Sequence, residues 1–543
     1  METSKSAFAL SFAVGCSAVL TLITIRWSFA PTEWAQLNSQ GVYIPQSLPF
    51  PPTNTTIQIA LWLGMVGGLW LAAREHRPRS HAHRSISHYG SIVVITLLGF
   101  GLRLHTLGEL PFIIDEIGFA AHASDILHGQ GIPLFAPGHN AMPVTTSWLM
   151  AGAMALFGQT TFAARLVPLG FATLSIPAIY MLGRTWWSRR TGLIAAAFLA
   201  TYPAHVHFSQ FALNNLIDPL FAMLALVFLT RARHTGFRGD YVLAGMLAGT
   251  AQYFYQGARL LLVLMLVYWL FTRTAKSPTD CKRLKSHGEI LWLILPMVLL
   301  SLPRFAPMLV AGLSISGNTR PIELPPDWQT NAIRSILAWV NQPDVSPFWL
   351  SETHLLELPA LLAFTIGVFV ALRHWRDERH IVILLYLPLT TIFGGVIWAS
   401  APLFIRYMTA VPAIAPLIAL GIERLNRIRA ISPRLSVSVL VIGIIAVQGG
   451  FVALRHTSEA HAHVTDSQWR EHVFAQQAAD LPPENAAVLV MSTPFAETQQ
   501  ITVSDYVAAL GKRRVVVINN GDSELLARQI EQLDQAYRVI QLP

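Results

Sequence analysis

Two adjacent carboxylates, Asp115 and Glu116, follow the short apolar segment Pro111-Phe-Ile-Ile. They come directly after a long apolar run, at the start of a stretch, 109–163, that contains no lysine or arginine. Charge this close to an apolar boundary is costly unless it is used, so the pair is a candidate for chemistry. Adjacent acids on a solvated loop are explained equally well by solvation, and the pair alone does not decide between these interpretations.

Further ionisable residues stand at the ends of apolar runs on the same predicted side of the membrane. They are Arg165, Asp218, Arg259 and Arg406. Each alone fits an arginine that extends to the interface or an acid at a helix end. Together they place two or three carboxylates opposite three arginines. A carboxylate can accept the proton of an incoming hydroxyl, and guanidinium groups can hold a departing phosphate. The set therefore fits the transfer of a group from a lipid phosphate.

The elements that would position these residues are membrane-spanning helices. Of 543 residues, 53% are hydrophobic and 13% are charged, against roughly 25% charged in soluble domains. The apolar runs are long enough to cross roughly 30 Å of hydrocarbon as helix, and a bilayer gives isolated strands no backbone partners. The sequence thus predicts an all-α polytopic membrane protein with about 13 transmembrane helices. The predicted spans are 8–29, 56–73, 90–107, 164–184, 191–208, 214–231, 240–256, 257–272, 288–309, 356–373, 380–399, 405–422 and 435–453.

Lysine and arginine set the orientation of these spans. The basic residues concentrate in short loops that the positive-inside rule keeps in the cytoplasm. These loops are 74–84, 184–190, 231–238, 273–285, 373–379 and 424–434. All of these loops fall on the same side of the membrane only if the short apolar stretch 143–158 is a helix at the outer surface rather than a span. The N-terminus, a retained signal anchor, is then inside. The C-terminus and the candidate site are then outside the cytoplasm, in a multi-pass protein of the cell's inner (plasma) membrane.

Two domains are predicted. Residues 1–453 form the transmembrane domain, with a catalytic outer loop at 109–163 and a second outer loop at 310–355 that fits a gate for lipid or acceptor. In the same domain, the run Tyr253-Phe-Tyr255 is interpreted as packing or an interface anchor. Residues 454–543 alternate apolar β-rich runs with helical patterns in the order β-α-β-α-β. This order is typical of a small α/β domain, here extracytoplasmic.

Six short motifs occur in a fixed order between residues 90 and 425. They are Asp115-Glu116, Leu156-Phe157-Gly158, Ala163-Ala164-Arg165-Leu166, Trp186 to Gly192, Leu216-Ile217-Asp218-Pro219, and Ile405-Arg406-Tyr407 followed by Pro412. This ordered set resembles the GT-C glycosyltransferases. It is most similar to the family 39-like branch that contains the protein O-mannosyltransferases and the lipid A aminoarabinose transferases.

The resemblance implies a polyprenyl-phosphate-linked sugar as donor and an inverting single displacement onto an acceptor hydroxyl. The acceptor, whether protein, lipid or glycan, is left open. The residues placed in this site are the base Asp115 with its neighbour Glu116, the phosphate ligands Arg165, Arg406 and Arg259, and the cavity residues Asp218, Tyr407 and His139. No cofactor is assigned. A divalent metal held by the two acids and one of His122, His128 and His139 is kept open as an alternative.

Two other functions compete with a transferase. A transporter or flippase of lipid-linked sugars would also need phosphate ligands, but transporters place ionisable groups near the bilayer midplane on broken helices. The charges here gather at one boundary, which favours surface chemistry. A membrane scaffold that acts through its C-terminal domain leaves the boundary charges unexplained. No basic, aromatic-interleaved stretch indicates nucleic acid as a partner.

Overall fold

The computed structural model of the protein describes most of the predicted membrane domain and three strands beyond it. The described residues are 2–28, 55–73, 90–129, 132, 134–135, 143–274, 290–310, 324–346, 354–398, 401–426, short stretches between 442 and 455, and 486–491, 515–519 and 537–541. The outer-loop residue His139 lies outside this part, and the predicted last span, 435–453, lies largely outside it.

The transmembrane domain is built from helices. In the first half of the chain they are α1 (Glu2–Ser28), α2 (Thr55–Ala72), α3 (Gly90–Leu104), α4 (Ile114–Leu127), α5 (Thr145–Phe157), α6 (Thr161–Trp186), α7 (Arg189–Thr201), α8 (Pro203–Phe208), α9 (Asp218–Thr235) and α10 (Arg238–Ala251). In the second half they are α11 (Ala258–Thr274), α12 (Leu291–Val310), α13 (Trp328–Leu337), α14 (Leu358–Arg373), α15 (Glu378–Thr391), α16 (Phe404–Tyr407) and α17 (Val411–Asn426). Each of the first twelve predicted spans overlaps one or two of these helices.

Several helices are long and apolar enough to cross a membrane, so the chain is an integral membrane protein. Within the described residues, the stretches of at least 18 residues are Ser6–Ile25, Thr55–Ala72, Thr161–Trp186, Glu378–Val396 and Phe404–Asn426. Shorter apolar helices such as α3, α11, α12 and α14 lie between them in the chain. The total of 13 spans stays a prediction, as does the placement of α5 at the outer surface.

Small residues allow the C-terminal helices to pack closely. Helices α14 and α17 pack along each other. A Cβ atom at Gly367 would lie 1.8 Å from the carbonyl oxygen of Leu417, and one at Gly421 would lie 1.9 Å from that of Ala363. Only glycine fits at these two positions, and such small-residue contacts are typical of helix pairs in membranes.

The backbone between α15 and α17 is irregular. A π-helical turn at Ile392–Val396 follows α15, and a 3-10 turn at Met408–Ala410 joins α16 to α17. Irregular backbone at membrane depth is tolerated where protein encloses it or where it lines a cavity, and π-helical turns are frequent at functional sites. Residues from Phe404 to Ile422 are almost all buried. This segment carries Arg406.

The C-terminal strands form one parallel sheet. Strands β1 (Ala486–Met491), β2 (Val515–Asn519) and β3 (Tyr537–Gln541) have the order β2-β1-β3. Ala487 pairs with Val515 on one side of β1, and with Arg538 on the other. Parallel neighbours need crossover connections. The predicted crossover helices lie outside the described residues, so the α/β domain and its extracytoplasmic location stay predictions.

Candidate active site

The acidic pair lies on the first turn of a helix rather than on the predicted loop. Ile113 is extended, with φ −85° and ψ 161°, and α4 begins at the next residue. Carboxylates in a first turn are favoured by the positive end of the helix dipole. Successive helical residues point about 100° apart, so the two acids face different surroundings. Glu116 is 0% exposed, whereas Asp115 is half-buried.

Glu116 and Arg165 form a buried bidentate ion pair. Arg165 Nε donates to Glu116 Oε1 and Nη2 donates to Oε2, both at 2.8 Å. The same carboxylate accepts the backbone N–H groups of Ile113 at 3.0 Å and Ala212 at 2.5 Å. A buried charge needs this degree of pairing, because water cannot solvate it. The pair ties α6, the start of α4 and the segment at Ala212 together.

The other Arg165 donors also go to the chain. Nη1 donates to the carbonyl of Leu110 and Nη2 to that of Pro111, both at 2.8 Å. The rings of Phe112 and Phe211 lie with their centroids 5.5 and 5.7 Å from the guanidinium carbon. The guanidinium is thus directed at the segment before α4. This geometry favours a positioning role for Arg165 over the predicted binding of the donor phosphate.

Asp218 begins α9 and is 2% exposed. Its Oδ2 accepts a hydrogen bond from Thr409 Oγ1 at 3.4 Å. Its Oδ1 is buried and has no hydrogen-bond partner in the part of the chain that the structure describes. A Cβ at Gly257 would lie 2.5 Å from Oδ2 and 2.3 Å from Thr409 Oγ1, so glycine is required beside this carboxylate. The second oxygen of Asp218 is therefore available to a donor from a ligand.

Arg406 links the acidic turn to the outer segment. Its guanidinium carbon lies 3.5 Å from the centroid of the Trp398 ring, a cation–π contact. Asp115, Asp344 and Tyr255 all interact with it electrostatically. Among the described residues, its buried Nη1 has no acceptor. Asp115 and Arg406, both assigned to the site from the sequence, thus lie close enough in the structure for their charges to interact.

Arg259 and Arg406 share one neighbour, Tyr255. The Tyr255 hydroxyl lies within hydrogen-bonding reach of Arg406 and Asn215, and it also interacts with Arg259. The Nη2 of Arg259 is buried and, in the described part of the chain, has no acceptor. Tyr255 was interpreted from the sequence as packing, and the structure instead brings its hydroxyl between two predicted phosphate ligands.

Tyr407 contacts the region of α13. Its hydroxyl donates to the carbonyl of Ser335 at 2.8 Å, and its ring centroid lies 5.1 Å from that of Trp339. The side chain therefore attaches α13 to the segment that carries Arg406. Its hydroxyl is directed to this contact rather than to the carboxylates.

Asp344, in the segment after α13, is a third carboxylate near Arg406. It accepts the backbone N–H of Ser346 at 3.1 Å and the Ser346 hydroxyl at 2.6 Å. The N–H of Val345 donates to the carbonyl of Pro402 at 3.1 Å, which attaches this segment to the residues before α16. Burial raises the pKa of Asp344 to about 6. Its charge therefore changes near neutral pH while it faces Arg406.

The outer-loop histidines give no metal site in the described residues. His122 Nδ1 lies 2.6 Å from the carbonyl oxygen of Gly118, and His128 Nδ1 lies 2.7 Å from that of Ser124. Each ring thus bonds to its own helix one turn back. No group of three or more His, Cys, Asp or Glu residues in the described chain is arranged to hold a metal. His139 lies outside that part, so the metal alternative stays open.

Sequence analysis missed Arg304, Trp398 and Thr409. Arg304, on α12, is 5% exposed and lies close enough to Arg259 for the two charges to repel. An arginine inside an apolar run is itself a signal of function that the sequence carries. No comparable signal marks Trp398 or Thr409, because only the fold brings them to the charged residues.

The sequence matches the family described as dolichyl-phosphate-mannose-protein mannosyltransferase over residues 141–308. Comparison with curated proteins finds no relative. Among solved structures, ArnT from Cupriavidus metallidurans in the apo state is similar with a TM-score of 0.54 and 15% identity, over 82% of this chain and 89% of ArnT. ArnT bound to undecaprenyl phosphate is similar with a TM-score of 0.53 and 16% identity, over 83% of this chain and 90% of ArnT. A third structure is the oligosaccharyltransferase AglB from Archaeoglobus fulgidus, in complex with an inhibitory peptide and a dolichol-phosphate. Its TM-score is 0.49 and its identity is 14%, over 80% of this chain and 64% of AglB.

The ArnT structures show a shared fold at these identities, and the family match adds similarity at the level of sequence. The stretch that matches the family contains Arg165, Asp218 and Arg259, and it does not include Asp115 or Arg406. The match of residues 141–308 to a mannosyltransferase family and the fold shared with ArnT confirm the resemblance to the GT-C membrane glycosyltransferases that the sequence indicates.

Proposed function

We propose that the chain transfers a monosaccharide from a polyprenyl-phosphate donor to an acceptor hydroxyl, on the extracytoplasmic side of the inner membrane. One observation carries this proposal. Asp115 lies within electrostatic range of Arg406, and both Arg406 and Arg259 have a buried nitrogen without an acceptor in the described chain. A buried donor without a partner costs about 1–3 kcal/mol, and the oxygens of one phosphate can satisfy two guanidinium groups at once. The binding of undecaprenyl phosphate by ArnT, which has the same fold, supports this choice of donor.

The reaction is a single displacement at the anomeric carbon. The acceptor oxygen forms a bond to this carbon while Asp115 takes the hydroxyl proton. The bond from the carbon to the phosphate oxygen breaks on the opposite face, so the configuration inverts. The electron pair leaves with the phosphate, which gains one negative charge. Arg406 and Arg259 interact more strongly with the phosphate in the transition state, where its negative charge is growing, than with the phosphate of the bound donor. Such preferential stabilisation of the transition state is the requirement for catalysis.

Asp218 is suited to the sugar rather than to the phosphate. A carboxylate repels the phosphate group, whereas its unpartnered Oδ1 can accept a hydrogen bond from a sugar hydroxyl. Thr409 holds the other oxygen. Asp218 therefore orients the donor sugar, and the ion pair between Glu116 and Arg165 holds Asp115 in place.

The first prediction concerns the base. Asp115→Asn should lower turnover by about 100-fold or more, the scale of general-base contributions, with donor binding unchanged. The measurement is the release of free polyprenyl phosphate by the purified protein, given donor and a mixture of acceptors. Asp125→Asn is the matched control, since Asp125 is a half-buried acid on the same helix. Undiminished turnover in Asp115→Asn would place the base elsewhere. Intact donor in the opposite leaflet without phosphate release would support the flippase alternative instead.

The second prediction separates positioning from phosphate binding. Lysine lacks the planar fork that arginine uses in bidentate contacts. Arg406→Lys should raise the donor KM, by about tenfold for a lost charged hydrogen bond. Arg165→Lys should instead lower kcat and leave the donor KM near its original value. Breaking a buried pair destabilises by about 3–5 kcal/mol, so the melting temperature is measured alongside, and Glu116→Gln serves as a second variant. A rise in the donor KM for Arg165→Lys as large as for Arg406→Lys would contradict the positioning role.

The third prediction concerns pH. The pKa of Asp344 is raised to about 6, so its carboxyl is neutral below that pH and attracts Arg406 only above it. We expect turnover of the wild type to rise between pH 5 and pH 7 partly through this ionisation. Asp344→Asn should match the wild type at the acidic end and fall about threefold to tenfold below it at pH 7.5, on the scale of a 1 kcal/mol interaction. Parallel profiles for the two proteins would count against a role for the Asp344 charge.

A further inference from the structure

Two arginines, the half-buried Arg259 and the buried Arg304, flank one aromatic ring. Arg259 lies in the first turn of α11, and Arg304 lies near the end of α12. Their guanidinium carbons lie 5.9 and 5.7 Å from the centroid of the Phe305 ring. The two positive charges are close enough to repel each other. Like charges at this separation disfavour each other, and an anion between or beside them relieves the repulsion.

The described chain does not supply that anion. Neither arginine forms an ion pair within the described residues, and the buried Nη2 of Arg259 has no acceptor there. Arg304 is 5% exposed, so water solvates it little. An unpaired charge at such a position is costly. Arg259 and Arg304 therefore form a candidate site for an anionic ligand.

Two other buried arginines donate most of their N–H groups to the protein, although Nε of Arg103 has no acceptor in the described residues. Arg165 donates to Glu116 and to two backbone carbonyls. Arg103 donates to the carbonyls of Leu199 and Ala200, at the end of α7, and to Nδ1 of His205. Both therefore have structural partners. Arg259 and Arg304 differ from Arg165 because neither pairs with a carboxylate within the described residues.

The surface beside the pair is apolar. Leu309 is one helical turn beyond Phe305, on the same face of α12, and it is 63% exposed. A soluble anion gains nothing from such a surface, whereas a lipid chain attached to a phosphate buries it. The combination of two guanidinium groups with an adjoining apolar face indicates a lipid phosphate.

We propose that Arg304 is a further ligand of the donor phosphate, that Arg259 and Arg304 together hold this phosphate around Phe305, and that the polyprenyl chain leaves along the Phe305–Leu309 face. The inference rests on the proposed function and deepens it. Arg406 then reaches the phosphate from the side of Asp115. Arg304 thus has the role of phosphate ligand that was predicted for Arg165 from the sequence.

The test is a binding measurement on the full-length protein in zwitterionic lipid. The probe is a polyprenyl phosphate without sugar, and its binding is followed by the rise in melting temperature. Arg304→Met removes the charge but keeps an unbranched side chain of similar length. It should weaken binding about tenfold or more, as expected for lost charged hydrogen bonds. Without ligand, Arg304→Met should be at least as stable as the wild type, because an unpaired buried charge is gone.

Two further variants sharpen the test. Arg304→Lys keeps the charge and should bind with intermediate affinity. Arg334→Met, on the outer helix α13, changes an exposed arginine and should leave both binding and stability unchanged. Wild-type binding by Arg304→Met would overturn the proposal. So would a loss of stability without ligand that parallels the loss of binding, since that is the result of a structural role.

Two other ligands distinguish the sources of the phosphate. Phosphatidic acid and inorganic phosphate should each give a smaller stabilisation than the polyprenyl phosphate, and an equal effect of either one would overturn the assignment to the donor. The proposed function fails separately from this site. Normal binding by Arg304→Met together with lost turnover in Asp115→Asn would reject the site alone. Lost binding in Arg304→Met together with a wild type that moves intact donor to the opposite leaflet and releases no phosphate would reject the function alone.

Discussion

The placement of Asp115, the proposed base, depends on the buried ion pair between Arg165 and Glu116. Two charges taken out of water are stable together only when the geometry is good and further hydrogen bonds satisfy the remaining donors and acceptors. Both conditions hold, because the carboxylate also accepts two backbone N–H groups and the guanidinium also donates to two carbonyls. The pair fixes where α4 begins. Since neighbouring helical residues point about 100° apart, Asp115 is then turned away from Arg165 and towards Arg406.

The arginines of this region fall into two groups, according to whether the protein supplies acceptors for their N–H groups. Arg103 and Arg165 donate to carbonyls and to side chains of the protein itself. Arg259, Arg304 and Arg406 lie against aromatic rings without a carboxylate bound in a salt bridge, and buried nitrogens of Arg259 and Arg406 have no acceptor in the described chain. An aromatic face holds a guanidinium in place without using its N–H groups. The second group can therefore bind a phosphate during part of a reaction cycle and release it afterwards.

Hydropathy predicted the helices well, because a bilayer admits few other structures. The first twelve predicted spans overlap observed helices, and the acidic pair and Arg406 were singled out by residue type and position. The sequence did not reveal which buried arginine has its hydrogen-bond acceptors supplied by the protein. Arg165 and Arg304 have the same chemistry, and only the fold gives one of them a carboxylate. The role of Tyr255 was missed for a similar reason, since an aromatic run fits packing until its hydroxyl is located.

The most direct test of this arrangement is an electron cryomicroscopy structure of the protein in a lipid nanodisc with a polyprenyl phosphate. The phosphate should lie against Arg259 and Arg406, on the side that Asp115 faces, while Arg165 stays bound to Glu116. A phosphate bound to Arg165 with the Glu116 pair opened would contradict the division of the arginines. A phosphate bound away from Arg259 and Arg406 would contradict the proposed site itself.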